Sequence, residues 1–113
     1  MHSERLQIRT TLTPRGITVL TPTGELDYNS AAALESALTT TGRLPCAVAD
    51  FSHVTFTDST GINALLRANR SLHAAGGWLR LSSVPATPLQ TMQIVGLDQV
   101  IDVYPTLEAA LRR

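Results

Sequence analysis

From Phe51 to Asn63 the sequence reads F-S-H-V-T-F-T-D-S-T-G-I-N. An apolar run ends at Phe51, and D-S-T-G (58–61) stands where a helical apolar pattern begins, so the stretch predicts a strand, a short loop and a helix start. A helix start exposes free backbone N–H groups and the positive end of the helix dipole, which favour carboxylates, hydroxyls and phosphate. We therefore expect this loop to be the working surface of the protein.

The helix after this loop is amphipathic. Its apolar residues fall on one face, which is predicted to belong to the core, and they are Ile62, Leu65, Leu66 and Leu72. Its opposite face carries Asn63, Arg67 and Arg70. We expect the two arginines to be solvated, with contact to a partner as the alternative. Gly76-Gly77 ends the helix.

Strands and helices continue to alternate after this helix. A strand is predicted from Trp78 to Val84. Thr87-Pro88-Leu89-Gln90 is typical of a capping box with proline at the first helical position, and it opens a third helix that runs to Gly96. A short strand over 100–103 and a closing helix capped by Thr106 complete the pattern.

The N-terminal third predicts a hairpin. Apolar and polar residues alternate over 6–12 and 17–21, on either side of the break Pro14-Arg15-Gly16. Because Pro22 cannot donate to a sheet, the second strand is expected to end near Thr21, or to present an unpaired edge there before it continues to Leu26.

A first helix and a central strand follow the hairpin. The helix is predicted from Tyr28 to Thr41, with Asn29 or Ser30 as its cap. The run from Cys46 to Phe51 is apolar on both faces, as in a buried central strand. The whole order predicts an α/β fold with about four α-helices and a mixed β-sheet, in which an N-terminal antiparallel hairpin joins parallel strands.

Composition limits the function classes. At 113 residues, 43% hydrophobic and 16% charged, the chain is expected to form a single globular domain over 1–113. Nine basic residues balance nine acidic ones, so the composition shows no excess of positive charge that would indicate direct contact with nucleic acid. Cys46 is the only cysteine, which excludes an intrachain disulfide. No 18-residue apolar run or N-terminal apolar segment is present, so we expect a cytoplasmic protein without a membrane span.

The sequence contains no pattern that indicates a metal site or a catalytic site. His2, His53 and His73 show no metal-ligand spacing, and no metal or other cofactor is expected. No histidine is placed by the sequence to activate Ser59, and neither a G-x-S-x-G elbow nor a phosphate-binding glycine loop is present. We therefore interpret Ser59 as a substrate and not as a nucleophile.

Two segments carry a resemblance to a known family. The first is Thr23-Gly24-Glu25-Leu26-Asp27, and the second covers 50–61 and reads D-F-S-H-V-T-F-T-D-S-T-G. They are similar to the T-G-E-L-D and D-L-S-x-V-x-F-x-D-S-S-G segments of STAS domains of the anti-sigma factor antagonist type. Weaker matches are Gly76-Gly77 before a strand, Gly96-Leu97 after the third helix and the final L-E-A-A-L helix. The likeness spans nearly the whole chain in the right order and spacing.

The resemblance implies a regulator that works by switching partners. In the family, the serine directly after the loop aspartate accepts phosphate, and that residue here is Ser59. An anti-sigma factor that is itself a serine kinase adds the phosphate, and a metal-dependent PP2C-type phosphatase removes it. The unmodified antagonist binds the anti-sigma factor and frees the sigma factor, whereas the phosphorylated form does not. The antagonist itself is not an enzyme.

The predicted site combines this resemblance with the helix start. Its members, forming the acceptor loop and the partner-binding surface, are Asp27, Thr57, Asp58, Ser59, Thr60, Gly61 and Asn63. Thr60 replaces a second serine and is the less favoured acceptor. Asp58 is expected to cap the helix and shape recognition by the kinase. Asp27 is either a loop residue before the first helix or a neighbour of the acceptor.

Several alternatives remain open at the level of sequence. On spacing alone, D-S-T-G is explained by helix capping with a turn glycine. A STAS module also serves as a constitutive scaffold or transporter-associated subunit, or as a small-ligand sensor, without turnover of phosphate on Ser59. An apolar helix face looks the same whether it covers its own sheet or a second subunit, so a weak homodimer is compatible with the sequence.

Overall fold

A computed structural model of the protein describes residues 6–40 and 42–112. In this part of the chain, six strands form one sheet and four α-helices pack on it. The strands are β1 (Gln7–Leu12), β2 (Thr18–Leu26), β3 (Cys46–Asp50), β4 (His53–Thr57), β5 (Trp78–Ser82) and β6 (Asp102–Tyr104). The helices are α1 (Ala31–Thr39), α2 (Ser59–Ala74), α3 (Ala86–Ile94) and α4 (Leu107–Leu111). None of these helices is long and apolar enough to cross a bilayer.

The sheet is mixed, as the sequence predicts. Its order is β1-β2-β3-β5-β6, with β4 pairing to β2 beside this path. β1 and β2 are antiparallel and form the predicted hairpin, while every other pair is parallel. The parallel pairs need crossover connections, which α1, α2 and α3 provide. The α/β class, the hairpin and the number of α-helices are confirmed.

The prediction of a loop between Phe51 and Asp58 is wrong, because most of this segment is β4. β2 is nine residues long, and β3 pairs only with its first part, Thr18–Leu20. β4 pairs with the remaining part, Thr23–Leu26, and thereby satisfies backbone groups that would otherwise lack partners. β3 and β4 thus follow one another along the same edge of β2.

Pro22 lies at the change of partner. Thr21 and Pro22 pair with β1 but have no partner in β3 or β4. On this side of β2 a residue without an N–H loses no hydrogen bond to a parallel neighbour, because neither β3 nor β4 reaches it. Of the two predictions for β2, an early end near Thr21 is wrong, and continuation to Leu26 past an unpaired edge is confirmed.

Helix boundaries differ from the predictions at two places. α1 begins at Ala31 after the cap position Ser30 and ends at Thr39, and the predicted end at Thr41 lies outside the described residues. α3 begins at Ala86, not after a capping box at Thr87. Pro88 therefore lies within the first turn, where the backbone N–H groups have no helical partner in any case, so proline does not identify the first position.

The connection after α3 also departs from the sequence prediction. A turn of 3-10 helix covers Leu97–Gln99 after Gly96, which adopts a left-handed conformation with φ of 80°. The predicted strand over 100–103 is displaced to β6, and Ile101 is buried before that strand begins. Thr106 caps α4 as predicted, since its hydroxyl oxygen accepts from the Ala109 N–H at 3.1 Å.

The main core lies between the sheet and helices α1, α2 and α3. Its buried side chains include Ile62, Leu65 and Leu72 of the predicted face of α2. Its largest fully buried members are Leu20, Leu26, Leu34, Leu38, Phe51, Leu65, Leu81, Met92, Leu97 and Ile101. Leu66, also predicted to be core, is only half-buried. A smaller cluster around Ile17, Val48 and Ala110 lies under α4 on the other face.

Gly61 lets the first turn of α2 lie directly on the ends of two strands. A Cβ atom at this position would approach Thr57 Oγ1 to 2.6 Å, Leu26 Cγ to 2.7 Å and the Leu26 carbonyl oxygen to 3.0 Å. All three contacts are closer than real Cβ atoms normally make, and both neighbouring residues, Leu26 and Thr57, are buried strand residues. Glycine therefore determines how closely α2 approaches β2 and β4.

We expect Gly61→Ala to destabilise the protein. Alanine would gain up to about 1 kcal/mol in helix propensity, but overpacking against Leu26 and Thr57 would cost about 1–3 kcal/mol. Urea unfolding should therefore show a net loss. Asn63→Ala, on the exposed side of the same helix, should stay within about 0.5 kcal/mol of the wild type. A Gly61→Ala protein as stable as the wild type would contradict this account of the close contact.

Candidate functional site

The predicted acceptor residues lie at a junction between two strand ends and a helix start, not in a loop. β2 and β4 end side by side, with Leu26 paired to Thr57. The Asp58 N–H then donates to the Leu26 carbonyl at 3.2 Å, and α2 begins at the next residue, Ser59. The correction has a physical cause: the parallel ladder holds the chain extended up to Thr57, so no loop residues remain before the helix.

Asp58 caps α2 through its carboxylate. One oxygen, Oδ1, accepts from the Thr60 N–H at 3.0 Å, the Thr60 hydroxyl at 2.6 Å and the Gly61 N–H at 3.1 Å. The Asp58 backbone is extended, as an N-cap residue requires, and its carbonyl accepts from the Ile62 N–H at 3.0 Å. The prediction that Asp58 caps this helix is therefore confirmed.

These hydrogen bonds also control the charge of Asp58. Desolvation acts to raise the pKa of its carboxyl. Hydrogen bonds from the Thr60 hydroxyl and from backbone N–H groups of Gly61, Thr60 and Tyr28 outweigh desolvation, and the pKa lies below its ordinary value. Asp58 is consequently ionised at neutral pH, directly before Ser59.

Ser59 and Thr60 differ in how free their hydroxyls are. Ser59 is exposed at the first position of α2, and its hydroxyl forms no hydrogen bond with residues 6–40 or 42–112. Thr60 is half-buried, and its hydroxyl donates to Asp58. A phosphoryl group could be added to Ser59 without breaking the cap, whereas modification of Thr60 would remove one of its hydrogen bonds.

The structure brings Asp27 close to the same junction. Asp27 directly follows Leu26, whose carbonyl accepts from the Asp58 N–H. Its Oδ1 accepts from the Asn29 N–H at 3.0 Å and from the Ser30 hydroxyl at 3.2 Å, which organises the turn into α1. Asp27 is therefore a turn residue before α1, and it lies next in the chain to the strand end on which Asp58 is held.

The other predicted site residues divide by exposure. Asn63 is exposed on α2, one turn after the helix begins. Thr57 and Gly61 are buried beneath the junction, where they set the position of α2. Arg67 pairs with Glu35 of α1, with 2.9 Å between Nε and Oε1, while Arg70 is exposed. Because Thr57 and Gly61 are buried, the exposed members Ser59 and Asn63 are the ones accessible at this junction.

An apolar groove of about 310 Å³ lies beside Ser59. One wall is the start of α2, with Ser59, Ile62, Asn63 and Leu66. The other wall runs from α3 to just past the 3-10 helix, with Thr91, Val95, Gly96, Leu97 and Val100. The second wall, around Val95 and Val100, was not predicted from the sequence. The signal available in the sequence was the apolar pair Val95 and Leu97 on either side of Gly96, followed by Val100.

Two wider depressions lie away from the junction. One, of about 680 Å³, is lined by Ser83, Asp98 and Asp102 among others, and one, of about 920 Å³, lies along β1 beside His53. Neither includes a residue of the predicted site. Across residues 6–40 and 42–112, no three His, Cys, Asp or Glu residues are grouped so as to hold a metal ion, and His2 lies outside these residues.

Comparison with known proteins gives one family match and several structural matches. The family model for the STAS domain matches residues 9–110. An anti-sigma factor antagonist from Mycobacterium paratuberculosis is 26% identical, with a TM-score of 0.81 over 97% of this chain and 96% of that one.

Two further structures share the fold at lower identity. SpoIIAA from Bacillus is 24% identical in its unphosphorylated form, with a TM-score of 0.78 over 93% of both chains, and its phosphorylated form also matches, with a TM-score of 0.70 over 93% of this chain and 96% of that one. A sulfate transporter family protein from Wolinella succinogenes is 21% identical, with a TM-score of 0.76 over 89% of this chain and 86% of that one.

We predict that the Asp58 cap makes stability depend on pH. Because the pKa is lowered in the folded state, the cap stabilises the protein fully above the ordinary carboxyl range, near pH 4, and loses this contribution as pH falls through the folded-state pKa. Asp58→Ala should cost about 1–2 kcal/mol at pH 7. The difference from the wild type should shrink on acidification, as measured by urea unfolding at a series of pH values.

Two variants serve as controls for this titration. Asp58→Asn keeps an oxygen acceptor at the cap but cannot ionise, so its unfolding free energy should lack the pH-dependent contribution of Asp58. Asp102→Ala removes an exposed carboxylate elsewhere and should change stability by less than about 0.5 kcal/mol. A gap between wild type and Asp58→Ala that stays constant from neutral to acidic pH would refute the assignment.

Proposed function

The chain belongs to the STAS domain family, and on this premise we propose that it is an anti-sigma factor antagonist controlled by phosphate on Ser59. Unmodified, it binds an anti-sigma factor that is a serine kinase, and the sigma factor is released. The observation that carries the proposal is the position of Ser59: exposed, first in α2, and free of the cap that occupies the Thr60 hydroxyl. The proposed setting is the cytoplasm, where the sigma factor acts.

The chemical step belongs to the partners. The kinase transfers the γ-phosphoryl group of ATP to the Ser59 hydroxyl oxygen, so an O–P bond forms there while the bond to ADP breaks and the hydroxyl proton leaves to a base of the kinase. A PP2C-type phosphatase reverses the modification by hydrolysis and returns inorganic phosphate. The antagonist supplies only the acceptor hydroxyl and the surface that presents it.

The phosphate would concentrate negative charge at one point. A phosphoserine carries about −1.5 to −2 charges at neutral pH, and the ionised Asp58 adds another beside it. The Asp58 carboxylate already accepts the Thr60 and Gly61 N–H groups, so the phosphate would be left to water and to the helix dipole. A partner whose surface packs against unmodified Ser59 would meet this phosphate in the modified protein. It would then have to remove the water around the phosphate or accept a negative charge in the interface.

The energy needed for such a switch is small. A penalty of about 3 kcal/mol weakens binding more than a hundredfold. Desolvation of a charged group, or its approach to a like charge, readily reaches this size in a protein interface. The proposed mechanism therefore needs no rearrangement of the fold, and the hydrogen bonds of the Asp58 cap do not involve the Ser59 hydroxyl that is modified.

Phosphorylation of the purified protein tests this proposal. We expect incubation with ATP and the cognate kinase, found among the kinase-type anti-sigma factors of the same genome, to add one phosphate. Peptide mapping by mass spectrometry should place the phosphate on Ser59. Ser59→Ala should accept none.

Matched variants separate loss of the acceptor from general damage to α2. Ser71→Ala changes an exposed serine at the far end of the same helix and should be phosphorylated like the wild type. Thr60→Ala removes the alternative acceptor and should still receive phosphate on Ser59. Modification elsewhere, or none with any such kinase, would reject the switch and favour a constitutive scaffold, a transporter-associated subunit or a small-ligand sensor.

A further inference from the structure

The groove beside Ser59 has walls without charge. None of its nine residues is ionisable, and most of the lining is aliphatic. Val95 and Val100, on the wall opposite α2, each retain 58% of their surface exposed. Exposed aliphatic side chains around a concave surface are a typical feature of protein interaction sites.

Two of the large exposed hydrophobic residues, Val95 and Val100, line the groove. In the described residues, the large exposed hydrophobics are Leu12, Tyr28, Leu44, Phe56, Ile94, Val95 and Val100. Tyr28 follows the end of β2 and Phe56 precedes the end of β4, and neither of them lines the groove. Leu12 lies at the other end of β2, opposite Thr18.

We propose that this groove holds an apolar side chain of the anti-sigma factor kinase when the unmodified antagonist is bound. This inference rests on the proposed function and specifies where the partner gains its affinity. Ser59 is itself one wall of the groove, so a kinase that places its active site over the Ser59 hydroxyl must also cover the groove. A volume of about 310 Å³ lies at the lower limit for small-ligand sites and suits one large side chain better than a cofactor.

The uncharged walls explain why phosphate would expel this partner. A phosphate on Ser59 would stand on the rim, and no lining residue is a cation that could neutralise it. An apolar side chain that enters the groove removes water from the rim, and the phosphate would then lose hydration without gaining a counter-ion. The same contact that gives affinity to the unmodified form thus makes the phosphorylated form unfavourable.

The chain offers a matched pair of residues to test this groove. Val95 lines it, whereas the adjacent Ile94 is 78% exposed and is not among its walls. We expect Val95→Ser and Val100→Ser each to weaken binding of the unmodified protein to the kinase by about tenfold or more, the usual range for a central interface residue. Ile94→Ser should change the affinity by less than about threefold. Titration calorimetry with the purified kinase measures all of these.

The outcomes separate this inference from the proposed function. If the wild type itself neither binds the kinase nor accepts phosphate, the proposed function fails. If the wild type binds and both Val95→Ser and Val100→Ser bind equally well, or if Ile94→Ser loses as much as they do, the groove is not the docking site. Val95 follows α3 and Val100 follows the 3-10 helix, so one substitution can destabilise the protein without the other. If one variant has a lower unfolding midpoint than the wild type, the binding result of the other variant tests the groove.

Discussion

The three hydrogen bonds received by one carboxylate oxygen of Asp58 are the interaction on which the site depends. They fix where α2 begins, because the Asp58 oxygen accepts from the N–H groups of the second and third helical residues, Thr60 and Gly61, and from the Thr60 hydroxyl. Gly61 complements them, because only a residue without a Cβ allows this first turn to lie on Leu26 and Thr57. Ser59 is held between these constraints, yet its own side chain takes no part in them.

This arrangement favours a switch based on charge over one based on shape. The residues that could move on modification, Thr60 and Gly61, are bonded to Asp58 and packed on the strand ends. In our proposal the surface around Ser59 therefore stays in place and changes only its charge and hydration. In the same proposal, the apolar groove beside Ser59 makes that local change in charge unfavourable for the bound partner.

Features with local causes were predictable from the sequence. The D-S-T-G helix start, the glycine stop after α2 and the Thr106 cap each depend on a few neighbouring residues. β4 was missed because its existence depends on β2 being longer than β3, which only the assembled sheet shows. The groove was missed because its second wall, around Val95 and Val100, reaches Ser59 through the fold and not through the sequence. The start of α3 was predicted wrongly from Pro88, because proline is tolerated at more than one position of the first helical turn.

The central claim is that charge on Ser59 decides whether the partner binds. Its most direct test is to measure the dissociation constant of the cognate anti-sigma factor kinase for the unmodified protein and for protein carrying a single phosphate on Ser59, under the same salt and pH. Our account predicts that the phosphate raises the dissociation constant at least about a hundredfold, with the same unfolding midpoint for both forms within a few degrees. Equal dissociation constants for the two forms would contradict it.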